Sequence, residues 1–286
     1  MGDFSADWLA LREPADFIAR SSQVTSVIAD ALAHDGILQA LDVASGTGSN
    51  LRYLAERLPP HQDWLLVDHD QGLITQAPAR MSEWAVARGY QARVEPDGVL
   101  LQGDRLKCRV QARRMDVADL TNGAIFEGRT LVTASALLDL VSEQWLRGLA
   151  VRCREHASAA LFALNYDGRI RCSPEEPEDD LIRELVNGHQ HRDKGFGAAL
   201  GPDAAATAER LFVAAGYQVH REPSDWVLSP DARGLQRALI DGWAQAAAEM
   251  APGESEAIES WQTRRLAHVE HGRSRLQVGH QDLAAW

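Results

Sequence analysis

The stretch Ile37-Leu38-Gln39-Ala40-Leu41-Asp42-Val43-Ala44-Ser45-Gly46-Thr47-Gly48 decides the fold. A short apolar run ends on an acid and passes into small residues. Leu51, Leu54, Ala55 and Leu58 then recur at helical spacing before Pro59-Pro60. An apolar run of this length bounded by turn residues reads as a buried strand, so the unit is strand, tight turn and helix. Gly46 and Gly48 fall where backbone passes close to a ligand at a helix start and a Cβ would obstruct it.

Working outward, the unit repeats. Residues 63–68 form a second strand and 73–88 a second helix ending at Gly89. Between 90 and 112, Pro96-Asp97-Gly98 and Gly103-Asp104 separate short strand-like runs, which predicts a β-meander before or within the third strand. Residues 131–134 give the fourth strand, 142–156 a helix and 159–164 the fifth strand. Upstream, 7–33 has helical periodicity, and Pro14 is expected to start a second helix. Beyond Asn165 the alternation breaks down. An acidic, Pro-rich surface loop is expected at 174–180, helices at 207–215, 235–250 and 257–269, and extended pieces at 217–220, 226–228 and 276–280.

Alternating buried strands and helices predict an α/β, Rossmann-like fold: a mostly parallel seven-stranded sheet with helices on both faces, N-terminal helices and C-terminal helical additions. The expected division is an N-terminal helical cap over 1–36 and a Rossmann-like domain over 37–286. The latter carries the meander insertion near 90–112 and helical additions near 170–202 and 232–270.

The 286 residues are 45% hydrophobic and 24% charged, ordinary for a globular protein with a sizeable core. Lys and Arg number 29 against 41 Asp and Glu, a net charge of −12, which disfavours a nucleic-acid partner in the absence of a basic stripe. Cys108, Cys153 and Cys172 are sparse and unpaired in pattern, arguing for a reducing compartment and against disulfides or a zinc site. Met1 to Ser5 lacks a signal-peptide pattern, and no apolar run approaches membrane-helix length. A cytoplasmic protein is expected, with no membrane partner; a homodimer stays open.

Three ligands compete for the glycine loop. A Walker-type phosphate loop needs Gly-x-x-x-x-Gly-Lys-Ser/Thr, and no such string occurs. A dinucleotide fingerprint needs Gly or Ala three residues after the second glycine, where Leu51 stands. The third ligand is a nucleoside without phosphates.

With these residues in place, the chain resembles the class I S-adenosylmethionine-dependent methyltransferases, small-molecule type. The resemblance covers roughly 37–165 and, more loosely, the strands near 217 and 276. It implies a glycine loop over the cofactor from Asp42, Ala44, Ser45, Gly46 and Gly48, with Asp42 orienting the amino-acid portion. It also implies ribose hydroxyls on Asp68 beside His69, the adenine amine on Asp116 with Val117, and a fourth-strand exit at Ala134 bordering cofactor and acceptor. The meander makes Asp116 the less secure match.

The implied activity is transfer of a methyl group from S-adenosyl-L-methionine to a small-molecule acceptor by in-line displacement, which requires no metal. Transfer of a different group, a nicotinamide-dependent oxidoreductase and a noncatalytic nucleoside-binding regulator are the alternatives. Acceptor contacts are expected from Arg20, Leu137, Asp139, Tyr166, Lys194 and Phe196. Arg12 and Arg20 flank the N-terminal helix start and could pair with a carboxylate of cofactor or acceptor, although an exposed arginine on an amphipathic helix is the commoner case. Candidates for a general base are His189, His191 and Tyr166. The segment 187–202 reads equally as a mobile lid or a plain surface loop, and the i, i+2 spacing of His189 and His191 does not suit a metal pair on a helix.

Overall fold

The computed structural model describes residues 5–33, 36–118, 120 and 123–286. Parts of the expected 1–36 cap, residues 1–4 and 34–35, therefore lie outside the described residues. In chain order the elements are α1 (Ala6–Ala19), α2 (Ser22–Ala31), β1 (Leu38–Val43), α3 (Ser49–Leu54), β2 (His61–Asp68), α4 (Gln71–Ile74) and α5 (Ala77–Ala87). There follow β3 (Gln91–Glu95), β4 (Gly98–Gly103), β5 (Leu106–Arg114), β6 (Leu131–Ser135), α6 (Glu143–Glu155), β7 (Ala159–Ser173), α7 (Asp179–Gln190) and α8 (Ala204–Ala214). The chain closes with β8 (Val219–Pro223), β9 (Trp226–Leu228), α9 (Arg233–Met250), α10 (Ser255–Glu270) and β10 (Arg275–Ala285).

The strands form one sheet in the order β3-β4-β5-β2-β1-β6-β7-β10-β8, with β9 paired to β10. The stretch from β5 to β8 supplies the seven strands expected. Three more strands join them: β3 and β4, the meander expected near 90–112, extend one edge, and β9, the extended piece expected at 226–228, pairs with β10 beside β8. Pairing is parallel from β5 through β2, β1 and β6 to β7, and antiparallel at β4 and β10. The strand order reverses beside β1, the switch point at which ligands of such sheets bind.

Alternation along β1 explains why both faces are covered. Leu41 and Val43 pack with Leu65, Trp145, Leu149, Phe162 and Phe212 beneath α6 and α8. Leu38 and Ala40 pack oppositely with Val24, Ile28, Leu51, Leu54, Trp64 and Met81 beneath α2, α3 and α5. β7 runs well past the expected end at 164. Its far half, with β10, carries a third core in which Ile182, Val186, Ile240, Trp243 and Trp261 join α7, α9 and α10.

One local expectation is corrected. Pro14 lies inside α1 and does not start the second helix. The break falls at Arg20, whose backbone is extended, because the Ser21 Oγ accepts the Val24 amide and caps α2. The segment 174–180 is the expected surface loop as far as Glu178, with α7 starting at Asp179, and it is held down by α10. Arg265, completely buried on α10, donates through Nε to the Asp179 carboxylate at 3.0 Å, and the nearby Glu176 accepts from Arg264 and His268.

Candidate functional site

β1 ends at Val43, and the chain turns because Ala44 and Gly46 both take left-handed backbone, at φ 53° and 55°. The Ser45 amide donates to the Val67 carbonyl (3.0 Å), pinning the loop to β2. The Gly46 amide donates to Asp68 Oδ2 (2.8 Å), while Asp68 Oδ1 accepts the Asp70 amide (2.9 Å) and lies 3.2 Å from His69 Nδ1. A side chain at Gly46 would also collide with Leu9, whose Cδ1 lies 2.8 Å from the Cβ position. α1 therefore covers the loop. The cleft beneath it, about 80 Å³, is bordered by Leu9, Arg12 and Asp16 on one side and Asp42, Gly46 and Asp68 on the other.

Asp42 is completely buried at its floor. Oδ1 accepts from Thr133 Oγ1 (2.6 Å) and Asn50 Nδ2 (2.7 Å), whereas the buried Oδ2 has no partner among the described residues. Burial pushes this carboxyl up to about 6 against the bonds from Thr133 and Asn50 and the charge of Arg20. Arg20 reaches the same network from the end of α1. Its Nη1 donates to Asn50 Oδ1 (2.8 Å) and its Nε to Asp282 Oδ2 (3.2 Å), and its plane lies 4.3 Å from the Tyr53 ring centroid. Nη2, also buried, has no partner among the described residues. Arg20 lines a narrow recess that shares Asp16, Ser49, Asn50 and Ser135 with the cleft. One unpartnered carboxylate oxygen and one unpartnered guanidinium nitrogen are thus linked through a single asparagine.

Of the residues expected at the cofactor, Asp42, Ala44, Ser45, Gly46, Asp68 and His69 border the cleft together. Gly48 does not; it starts α3 with its Cβ position facing Leu66, Arg52 and Met81. Asp116 is exposed and accepts the Ala118 amide (2.9 Å), because the chain leaves β5 on the open side of the sheet end. Val117 is buried in the α6-side core with its carbonyl accepting from Trp145 Nε1, and Ala134 is buried in β6 one residue short of the cleft wall at Ser135 and Ala136.

The residues expected at the acceptor are dispersed. Leu137 borders the cleft. Asp139 is buried with Oδ1 unpartnered among the described residues, and burial pushes it up to about 6 while Arg12 and Lys194 oppose the shift. Lys194 and His189 line a second cavity of about 600 Å³, which touches the cleft at the shared Leu140. Tyr166 instead donates to Asn187 Oδ1 (2.7 Å), and Phe196 packs edge-on against Trp145. His191 turns away, its Nδ1 at 3.3 Å from the Ala199 carbonyl. Asn50 and Asp282 escaped the sequence reading, and Thr133 entered it only as part of the fourth strand. Asn50, in the first turn after the glycines, offered a faint signal; Asp282 offered none. Among the described residues no three His, Cys, Asp or Glu side chains gather as a metal-binding group, and no helix is long and apolar enough to cross a membrane.

No family model and no curated protein matches the chain. Solved structures resemble it at low identity. A methyltransferase from Thiobacillus denitrificans, in complex with S-adenosylhomocysteine, is 12% identical over 99% of both chains with a TM-score of 0.45. A cyclopropane synthase from Mycobacterium tuberculosis is 11% identical over 99% of this chain and 95% of that one (TM-score 0.47). A methyltransferase from Geobacter sulfurreducens, also bound to S-adenosylhomocysteine, is 16% identical over 100% of this chain and 99% of that one (TM-score 0.43). Likenesses this distant carry no weight in assigning chemistry to this chain.

Proposed function

We propose that the chain binds S-adenosylmethionine and transfers its methyl group to a small-molecule acceptor. One observation carries the reading: the unpartnered Asp42 Oδ2 at the floor of the cleft and the unpartnered Arg20 Nη2 in the recess that adjoins it. An α-amino acid presents an ammonium and a carboxylate from one carbon, and this pair complements both charges. A dinucleotide presents a diphosphate there, for which Asp42 is the wrong charge, and Leu51 replaces the third small residue of its loop. Asp68 and His69 stand further along the cleft, where a nucleoside joined to that amino acid would extend.

In this reading the sulfonium methyl points toward Leu140, between cleft and cavity, and an acceptor in the cavity attacks in line. The C–S pair remains on sulfur as a neutral thioether. Asp139, buried beside Leu140 and poised near 6, is the group we assign to receive a proton from an O–H or N–H acceptor. The N-terminal helices of the 1–36 segment act as a cover that withdraws to admit the cofactor. The free cysteines fit a reducing compartment such as the cytoplasm.

The direct test is incubation with methyl-labelled S-adenosylmethionine and a metabolite panel, read by mass spectrometry. Labelled product supports the reading, whereas tight cofactor binding without any turnover favours a nucleoside-binding regulator. Two smaller effects follow. Asp68→Ala deprives the Gly46 amide of its acceptor and should weaken S-adenosylhomocysteine binding by about 1–3 kcal/mol; unchanged affinity would remove Asp68 from the site. Leu9→Ala should speed cofactor association in stopped-flow measurements, and an unaltered rate would exclude α1 as the gate.

A further inference from the structure

The second cavity has a wall composition that speaks to the acceptor's charge. Trp8, Leu140, Val186, Leu239 and Trp243 make it largely apolar, and about 600 Å³ suits a small organic molecule. Among the described residues that line it, Lys194 is the one lysine or arginine. The ammonium donates to His189 Nδ1 (3.3 Å), which fixes the ring's proton on Nε2, and Nε2 in turn donates to Glu249 Oε2 (3.1 Å). The same Glu249 oxygen accepts from Arg192 at 2.9 Å. Glu249 is therefore already shared between His189 and Arg192, and no carboxylate oxygen of the described residues lies within 4.0 Å of Lys194. Burial and the neighbouring Arg192 accordingly lower the ammonium below its ordinary value, with Glu249 and Asp139 opposing. A second donor on the same wall is also unmet: Trp8 Nε1 is buried without a partner among the described residues.

We propose that this cavity holds an anionic acceptor, a small carboxylic acid with an apolar body, whose carboxylate sits on Lys194. An uncompensated ammonium in apolar surroundings gains most from an anion, and a charge-assisted bond there is stronger than one in water. The apolar walls accommodate the body, and its nucleophilic end is directed past Leu140 toward the cleft. As an assignment of the acceptor it rests on the methyl-transfer reading; as an anion site it does not.

Calorimetry separates the two. The probes are 4-hydroxybenzoate, 4-hydroxyphenylacetate and 4-hydroxycinnamate, each beside its methyl ester, titrated into the full chain with and without S-adenosylhomocysteine. At least one acid should bind, and its ester should bind about tenfold or more weaker. Lys194→Met should erase that preference and Lys194→Arg should keep most of it, the latter guarding against simple misfolding. The proposal is overturned if acid and ester bind alike, if Lys194→Met retains the preference, or if no acid binds below about 10 mM. S-adenosylhomocysteine binding with no acid bound sinks the anion site and spares methyl transfer. An acid bound without any affinity for S-adenosylhomocysteine does the reverse.

Discussion

Replacing Asp282 by alanine is expected to lower stability to urea by about 3–5 kcal/mol, the cost of leaving a buried charge without its partner. Asp282 is completely buried. Its Oδ2 accepts from Arg20 Nε (3.2 Å) and the Ser21 amide (2.9 Å), and its Oδ1 from the Leu164 amide (2.8 Å). Those bonds tie β10 to the start of α2 and to Leu164, the one non-glycine residue of β7 with left-handed backbone, at φ 55°. Without the carboxylate the Arg20 guanidinium keeps only its bond to Asn50 and its contact with Tyr53. Cofactor affinity should fall together with stability, because Arg20 loses the orientation that aims Nη2 at the recess. Asp282→Asn, which keeps one carbonyl acceptor, should lose distinctly less. A stability loss below about 1 kcal/mol in the alanine variant would mean that the pair does not hold the site together.

The second large effect is a pH dependence set by Asp42. Its carboxyl is raised from the ordinary 3.8 to about 6, chiefly by burial. Between those values the folded chain holds a proton that the unfolded chain has released, so stability falls as pH rises across the window. The difference amounts to about 3 kcal/mol, fully present below the lower value and lost by about pH 6. Cofactor binding runs the opposite way, since an ammonium needs the ionised acid. Affinity for S-adenosylhomocysteine should be level above pH 6 and fall about tenfold for each unit below it. Asp42→Asn should bind weakly at every pH with a flattened profile, while Asp139, titrating in the same range, is left intact as an internal control. A wild-type affinity that stays constant from pH 5 to pH 7 would remove Asp42 from the cofactor's ammonium.

The features legible in the sequence are those whose causes lie close together along the chain. Asp42, Gly46 and the helix after them declare a strand, a turn and a helix start beside a cleft within a dozen residues, and Asp68 repeats the strand-end pattern. The β3–β4 hairpin was visible from Pro96-Asp97-Gly98 and Gly103-Asp104. Pro14 misled because proline commonly marks a helix start, whereas here α1 absorbs it and the serine cap at Ser21 sets the boundary. Asp282 could not be read at all. It meets Arg20 from 262 positions away, and only the antiparallel entry of β10 beside β7 brings them together. The cavity proposed for the acceptor was obscure for a similar reason. His189 and Lys194 gain meaning from α9 and from the first turn of α1, neither of which announces a cavity in its own periodicity.

Isothermal titration of S-adenosylhomocysteine and of NAD into the wild-type protein and the Asp42→Asn variant tests the central claim most directly. The account predicts that S-adenosylhomocysteine binds the wild-type protein, that the variant loses most of that affinity, and that NAD binds neither. Tight NAD binding without affinity for S-adenosylhomocysteine would contradict it.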